Sequence, residues 1–131
     1  MNCKPPKKNG IARIFAACTY SMDGIRCTFS TEAAFRQEAF IVGIVSVVLL
    51  FLPLSHEWKG LLFFATTAVL VVELLNSAIE SVVDLVSADY HILAKRAKDI
   101  ASAAVFISIA FAVMLWCGAI FSIYMNKVQW L

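Results

Sequence analysis

The sequence lacks the marks of most nucleotide-using enzymes. It has no GxxxxGK loop and no glycine-rich kinase motif, so no P-loop or protein-kinase phosphate cradle is present. It is also poor in charge: only 15% of its 131 residues are Asp, Glu, Lys or Arg, against 61% hydrophobic residues. A chain this short has too little interior to hide that much apolar surface from water, which excludes an ordinary soluble domain and requires lipid contact. Its four cysteines form no CxxC pair, and free thiols are expected rather than a disulfide framework. The basic N-terminal stretch is interrupted by Arg13 before any long apolar run, so a signal peptide is not expected there.

What is present is organised by depth in a membrane. Residues 1–9 are polar and read as a flexible tail. In residues 10–29, Ile11, Ile14, Phe15, Cys18, Met22, Ile25 and Phe29 recur at helical spacing beside Arg13, Asp23 and Arg26. The pattern fits an amphipathic helix lying in the membrane interface, or equally one packed on the protein's own spans. Gly24 is the position at which it can divide. Three apolar segments follow, at 33–54, 60–86 and 98–126, each long enough to cross about 30 Å of hydrocarbon. Pro53 is expected to end the first. Lys127, Gln129 and Trp130 are placed to anchor the last. The expected fold is therefore all-α, with three transmembrane helices and one surface helix.

Basic residues orient the spans. Lys4, Lys7, Lys8, Arg13, Arg26 and Arg36 precede the first apolar run, and Lys95, Arg96 and Lys98 fall in the second connection; only Lys59 and Lys127 lie on the other side. This bias places the N-terminus in the cytoplasm and the C-terminus outside.

The chemistry concentrates in the second span. Glu73, Glu80 and Asp84 fall within about 40° of arc at 100° per residue, and Asn76 and Ser77 flank the same stripe. A carboxylate in lipid costs several kcal/mol unless paired or solvated, so the stripe must face other helices, a cation or water. Asp84, near the boundary, reads equally well as a plain surface charge. Counting about 20 residues from Gly60 puts Glu80 at the cytoplasmic boundary and Glu73 about 10 Å deeper. The deeper carboxylate can meet the head of a lipid, the shallower one a water-soluble reactant. Glu32 begins the first span on the same side and can join Glu80 around a divalent cation. Oxygen-only ligands at an interface favour Mg²⁺. Lys98, where the third span begins, is placed to contact a phosphate.

These residues resemble the bacterial diacylglycerol kinase family of small membrane enzymes. The likeness runs through Glu32-Ala-Ala-Phe-Arg-Gln-Glu38, Val72-Glu-Leu-Leu-Asn-Ser-Ala-Ile-Glu80, Val82-Val-Asp84, and Ala94-Lys-Arg-Ala-Lys-Asp99 into Ala101-Ser-Ala-Ala-Val105. It covers about residues 10–120. The resemblance implies a homotrimer in the bacterial inner membrane, with active sites shared between subunits, that uses MgATP to phosphorylate diacylglycerol. It implies Glu73 as general base with Asn76 beside it, and Glu32 and Glu80 as metal ligands that also belong to the nucleotide site. Lys98, Asp99, Arg13, Tyr20, Asp89, Tyr90 and His91 are implied nucleotide contacts. Arg13, Arg26, Ala34, Phe35, Arg36, Gln37, Glu38, Glu73, Ser102 and Trp116 are the implied lipid-site lining. Thr31 departs from the Asn of many members.

Two other readings fit part of the pattern. Relatives on the same fold phosphorylate undecaprenol; the Ala33–Gln37 and Asn76-Ser77 stretches look more like the diacylglycerol branch. A small proton-coupled transporter would use Glu73 as its carrier carboxylate, but it leaves Glu80, Glu32 and Lys98 without a common purpose.

Overall fold

The computed structural model describes residues 10–87 and 89–128, with side chains through Met125. The expected flexible tail at 1–9 and the anchors Lys127, Gln129 and Trp130 lie outside what is described. The protein is built of helices: α1 (Ile11–Thr31), α2 (Ala33–Phe51), α3 (His56–Val86) and α4 (Ile92–Val128). Three of them, α2, α3 and α4 through Met125, are long and apolar enough to cross a membrane.

The helix ends follow local chemistry. Gly10 precedes α1 with φ of 62°, a left-handed conformation that glycine adopts without steric cost, and its carbonyl accepts from the Arg13 N–H at 3.1 Å. The helix runs unbroken through Gly24. Glu32 then takes an extended conformation (φ −101°, ψ 118°), serving at once as the C-cap of α1 and the N-cap of α2. The Arg36 guanidinium ties the two together by donating to the carbonyls of Phe29 (3.2 Å) and Ser30 (3.1 Å), groups that a helix end otherwise leaves unpaired. Phe35, buried, meets Phe29 edge to face with ring centroids 6.5 Å apart.

α2 stops at Phe51, three residues before the expected end. Leu52 precedes Pro53, whose ring forces it out of helical geometry (φ −68°, ψ 138°). α3 starts at His56 rather than at 60, because Ser55 caps it, accepting from the Trp58 N–H at 3.4 Å. α4 starts at Ile92, six residues before the expected 98. His91 Nδ1 accepts from the Leu93 N–H (3.2 Å), and the following Leu, Ala, Lys, Arg and Ala are strong helix formers. Hydropathy marks where lipid ends; hydrogen bonding decides where the helix ends. At 1.5 Å per residue, the 31 residues of α3 reach about 46 Å, so its termini extend past the hydrocarbon.

α3 is the centre of the assembly, packed chiefly on α4 and also on α2. Its buried residues Leu62, Thr66, Val69, Glu73 and Ser77 recur every three or four positions and form one stripe. Opposite, α4 buries Ala101, Ala112 and Ala119, small side chains that let two membrane helices approach closely. Leu49, Leu62 and Ala119 form an apolar knot at the end away from Glu80, covered by Leu54, Trp58 and Leu115. Phe40, Phe51, Phe64, Phe106 and Phe121 point outward, as lipid-facing residues do.

Leu62 is fully buried and its neighbour Leu61 is exposed. Leu62→Ala should cost about 2–5 kcal/mol, the range of a core truncation. Leu61→Ala should cost far less. Unfolding in graded denaturing detergent, followed by circular dichroism, separates the two.

Candidate functional site

The acidic stripe of α3 goes from buried to open along the helix: Glu73 is packed against neighbours, Glu80 is half-buried and Asp84 is exposed. Glu73 is 5% exposed and Ser77 8%, deeper than anything else polar on α3 except Thr66. The Glu73 carboxylate is close enough to Glu80 and Glu32 to feel both charges, and Glu38 of α2 is within the same reach of Glu73. Carboxylates on α2, on α3 and at the α1–α2 junction thus lie within electrostatic reach of Glu73, without gathering into one tight cluster among the described residues. One turn from Glu80, Asn76 donates from Nδ2 to Glu80 Oε1 at 3.2 Å, holding that carboxylate along the helix.

Buried polar atoms are normally paired, so those left single mark where a missing partner belongs. Among the described residues, Glu38 Oε2, Thr67 Oγ1, Asn76 Oδ1 and Ser77 Oγ are buried without a hydrogen-bond partner. Asn76 and Ser77 lie on or beside the Glu73 stripe, Glu38 is on α2, and Thr67 is about 9 Å further along α3. The arrangement offers acceptors and a carboxylate to a hydroxyl-bearing ligand.

A second group forms where α3 ends and α4 begins. Lys98 Nζ pairs with Asp84 Oδ1 at 2.6 Å, crossing from α4 to α3, and it also feels the charge of Glu80. Lys95 pairs with Asp99 at 2.6 Å, one turn along α4. A cavity of about 410 Å³ opens here, lined by Asp84, Asp89, Tyr90, His91, Lys98 and Asp99 among others. Five of the residues expected at a nucleotide site thus share one cavity. Asp84, which the sequence left as a possible plain surface charge, holds its lysine. The signal for it was its place on the stripe; the partner, 14 positions later, was invisible without the α3–α4 turn.

Other expected residues are not gathered in. Arg13, Tyr20 and Arg26 are exposed on α1, and among the described residues they make no side-chain hydrogen bond and do not line this cavity. Ala34, Gln37 and Ser102 are exposed. Phe35 and Arg36 are engaged in the α1–α2 junction described above. Glu38 and Trp116 share a different space: an apolar groove of about 480 Å³ between α2, α3 and α4, which also takes in Val42, Val48, Thr66 and Val69.

The donor chemistry suits Mg²⁺, which binds through one or two carboxylates together with waters and substrate phosphates rather than in an all-protein cage. Glu32 at the α1–α2 junction and Glu80 on α3 are carboxylates of the type that would hold it. Among the described residues no cluster of three or more His, Cys, Asp or Glu forms a preassembled metal cage.

If Asp84 is what holds Lys98, Asp84→Asn should free the ammonium. Lys98 should then be acylated faster than in the unaltered protein by a water-soluble amine reagent, with Lys59 as internal reference. Peptide mass spectrometry reads both; an unchanged Lys98 rate would show that the pair does not persist in solution.

The comparisons with known proteins cover most of the chain. Residues 19–120 match the family described as prokaryotic diacylglycerol kinase. The diacylglycerol kinase of Escherichia coli (strain K12) is 44% identical over 113 residues, 86% of this chain and 93% of that protein. The diacylglycerol kinase of Helicobacter pylori (strain J99) is 39% identical over 123 residues, 93% of this chain and 95% of that protein. That of Pseudomonas aeruginosa is 39% identical over 109 residues, covering 83% and 89%.

Proposed function

The chain belongs to the prokaryotic diacylglycerol kinase family, and from that premise we propose that it transfers the γ-phosphoryl group of ATP to the free hydroxyl of diacylglycerol, giving phosphatidic acid. The observation that carries this reading is the buried Glu73 carboxylate, one turn along α3 from Val69 of the apolar groove, on the same helix that carries Asp84 of the Lys98 cavity at its end. A lipid alcohol reaches it from within the bilayer, and a nucleotide from the cytoplasm. The charge bias of the connections supports that orientation, with the N-terminus cytoplasmic and the C-terminus outside, in the bacterial inner membrane.

Phosphoryl transfer is mostly a matter of positioning and charge neutralisation. Glu73 accepts the proton of the lipid hydroxyl at its carboxylate as the new O–P bond forms and the bond from the γ-phosphorus to the β,γ-bridging oxygen breaks, releasing ADP. Asn76 orients Glu80 and keeps Oδ1 free for the head of the lipid. Lys98 turns from Asp84 towards phosphate oxygens, with Asp99, Asp89, Tyr90 and His91 around the nucleotide. Glu32 and Glu80 would hold Mg²⁺, which when bound neutralises phosphate charge. Arg13 and Tyr20, exposed on α1, complete the nucleotide site, and Arg26, Ala34 and Ser102 the lipid site, only if a neighbouring subunit or a movement of α1 brings them in. A homotrimer with shared sites provides for that, and the broad apolar exterior of α2 and α4 leaves area for subunits as well as lipid.

The test is magnesium-dependent formation of phosphatidic acid from diacylglycerol and ATP by the purified protein in mixed micelles. Glu73→Gln should lower kcat by at least about 100-fold, the scale of a lost general base. Its thermal unfolding and its oligomeric state should not change. A variant keeping most of its rate would remove Glu73 from that role, and faster turnover of undecaprenol would reassign the substrate. Glu32→Gln and Glu80→Gln should each raise the Mg²⁺ concentration needed for half-maximal rate, read in a magnesium titration at fixed ATP.

A further inference from the structure

The apolar groove has a direction. α2 runs inward from the cytoplasmic end and α4 runs parallel to it, so among the lining residues Glu38 is the shallowest and Val48 and Trp116 are the deepest. α3 runs the opposite way, so Thr66 is deeper than Val69, which in turn is deeper than Glu73. From Glu38 to Val48 the groove descends about 15 Å at 1.5 Å per residue. Its mouth adjoins the proposed phosphoryl site, because Val69, which lines the groove, lies one turn from Glu73 on the buried stripe of α3. Its deep end is closed by a contact between two helices: Trp116 Nε1 donates to Thr66 Oγ1 at 3.2 Å.

That contact is part of a chain. The Thr66 hydroxyl donates its own proton to the Leu62 carbonyl at 2.7 Å, which leaves its lone pairs to receive the indole N–H. An indole N–H in an apolar setting needs such a partner, and Thr66 is buried, 8% exposed, within a wall of valine, isoleucine and alanine. Trp116 carries the bulk at this depth; Thr66 sets the direction in which that bulk lies.

We infer that Thr66 is a specificity-determining positioning residue: by fixing the Trp116 indole across the deep end of the groove, it sets how long an acyl chain the lipid substrate can lay there. This rests on the lipid-kinase reading above. The occupant is one acyl chain of the substrate. The groove is apolar throughout except for Glu38 at its mouth and the Thr66–Trp116 pair at its floor, and its lining residue Val69 lies one turn from the carboxylate proposed to meet the lipid hydroxyl. Without the threonine hydroxyl, the indole turns to seek another acceptor, the floor opens, and longer chains gain over shorter ones.

The experiment compares kcat/KM for palmitoyl and octanoyl diacylglycerols in the unaltered protein, Thr66→Val, Thr66→Ser and Trp116→Phe. Thr66→Val should raise the long-to-short ratio by about threefold, the factor that one interhelical hydrogen bond in a membrane is worth. Thr66→Ser keeps the hydroxyl and should keep the original ratio. Trp116→Phe removes the donor from the other helix and should move the ratio the same way, so the test survives if Thr66→Val does not assemble. Equal ratios in all four proteins, whatever their overall rates, would overturn the proposal and leave Thr66 a purely structural residue. Equilibrium binding of unreactive analogues, with the acceptor hydroxyl replaced by hydrogen, is measured alongside. If the unaltered protein forms no phosphatidic acid at all, the kinase reading fails, while the same threefold shift in the ratio of Kd values would still uphold the role of Thr66. Unshifted Kd ratios would reject it.

Discussion

Hydrocarbon does not solvate a carboxylate, and the helix arrangement follows from that constraint. A charged group at membrane depth costs several kcal/mol unless partners or water reach it. α3 carries Glu73 within an apolar segment, so the face bearing it must be covered. α4 covers it with alanines, which permit close approach, and α2 covers it from the other side. Thr66, Glu73 and Ser77 lie on the same stripe as Leu62 and Val69, so the polar groups are enclosed by the same packing that buries the apolar ones.

The coverage is incomplete in a way that matters. Glu38, Asn76 and Ser77 each keep a buried polar atom without a partner. A purely structural core would have satisfied these atoms, because an unmet buried donor or acceptor costs about 1–3 kcal/mol. Asn76 and Ser77 lie within one turn of the one carboxylate that packing has enclosed, and Thr67 Oγ1, deeper on α3, is unmatched as well. The ion pairs near the α3–α4 turn differ in kind. Lys95–Asp99 and Lys98–Asp84 are largely exposed, so they contribute little to stability and can be exchanged for other contacts at small cost.

Length separates the two environments. α3 and α4 both run beyond the hydrocarbon, and their extensions carry the charged residues of the cavity at the α3–α4 turn. The same rigid helices thus present apolar surface to lipid at one level and a charged cavity to water at another. The α1–α2 break at Glu32 belongs to this boundary: a single extended residue, braced by Arg36, sets a carboxylate at the level where the two environments meet.

Much of this was legible in the chain itself. Apolar runs gave three spans because burying backbone in lipid demands helices of about that length. The spacing of Glu73, Glu80 and Asp84 put them on one face because the helical period is fixed. The quoted motifs identified the family. Helix ends were less legible, since Ser55, His91 and Leu52 act through backbone hydrogen bonds and proline sterics that hydropathy does not register. Pairing between helices could not be read at all. Which lysine Asp84 holds, which hydroxyl receives the Trp116 indole, and which polar atoms stay unmatched depend on how α3 and α4 are rotated against each other. Periodicity gives each helix a face; only the packed structure says what that face meets.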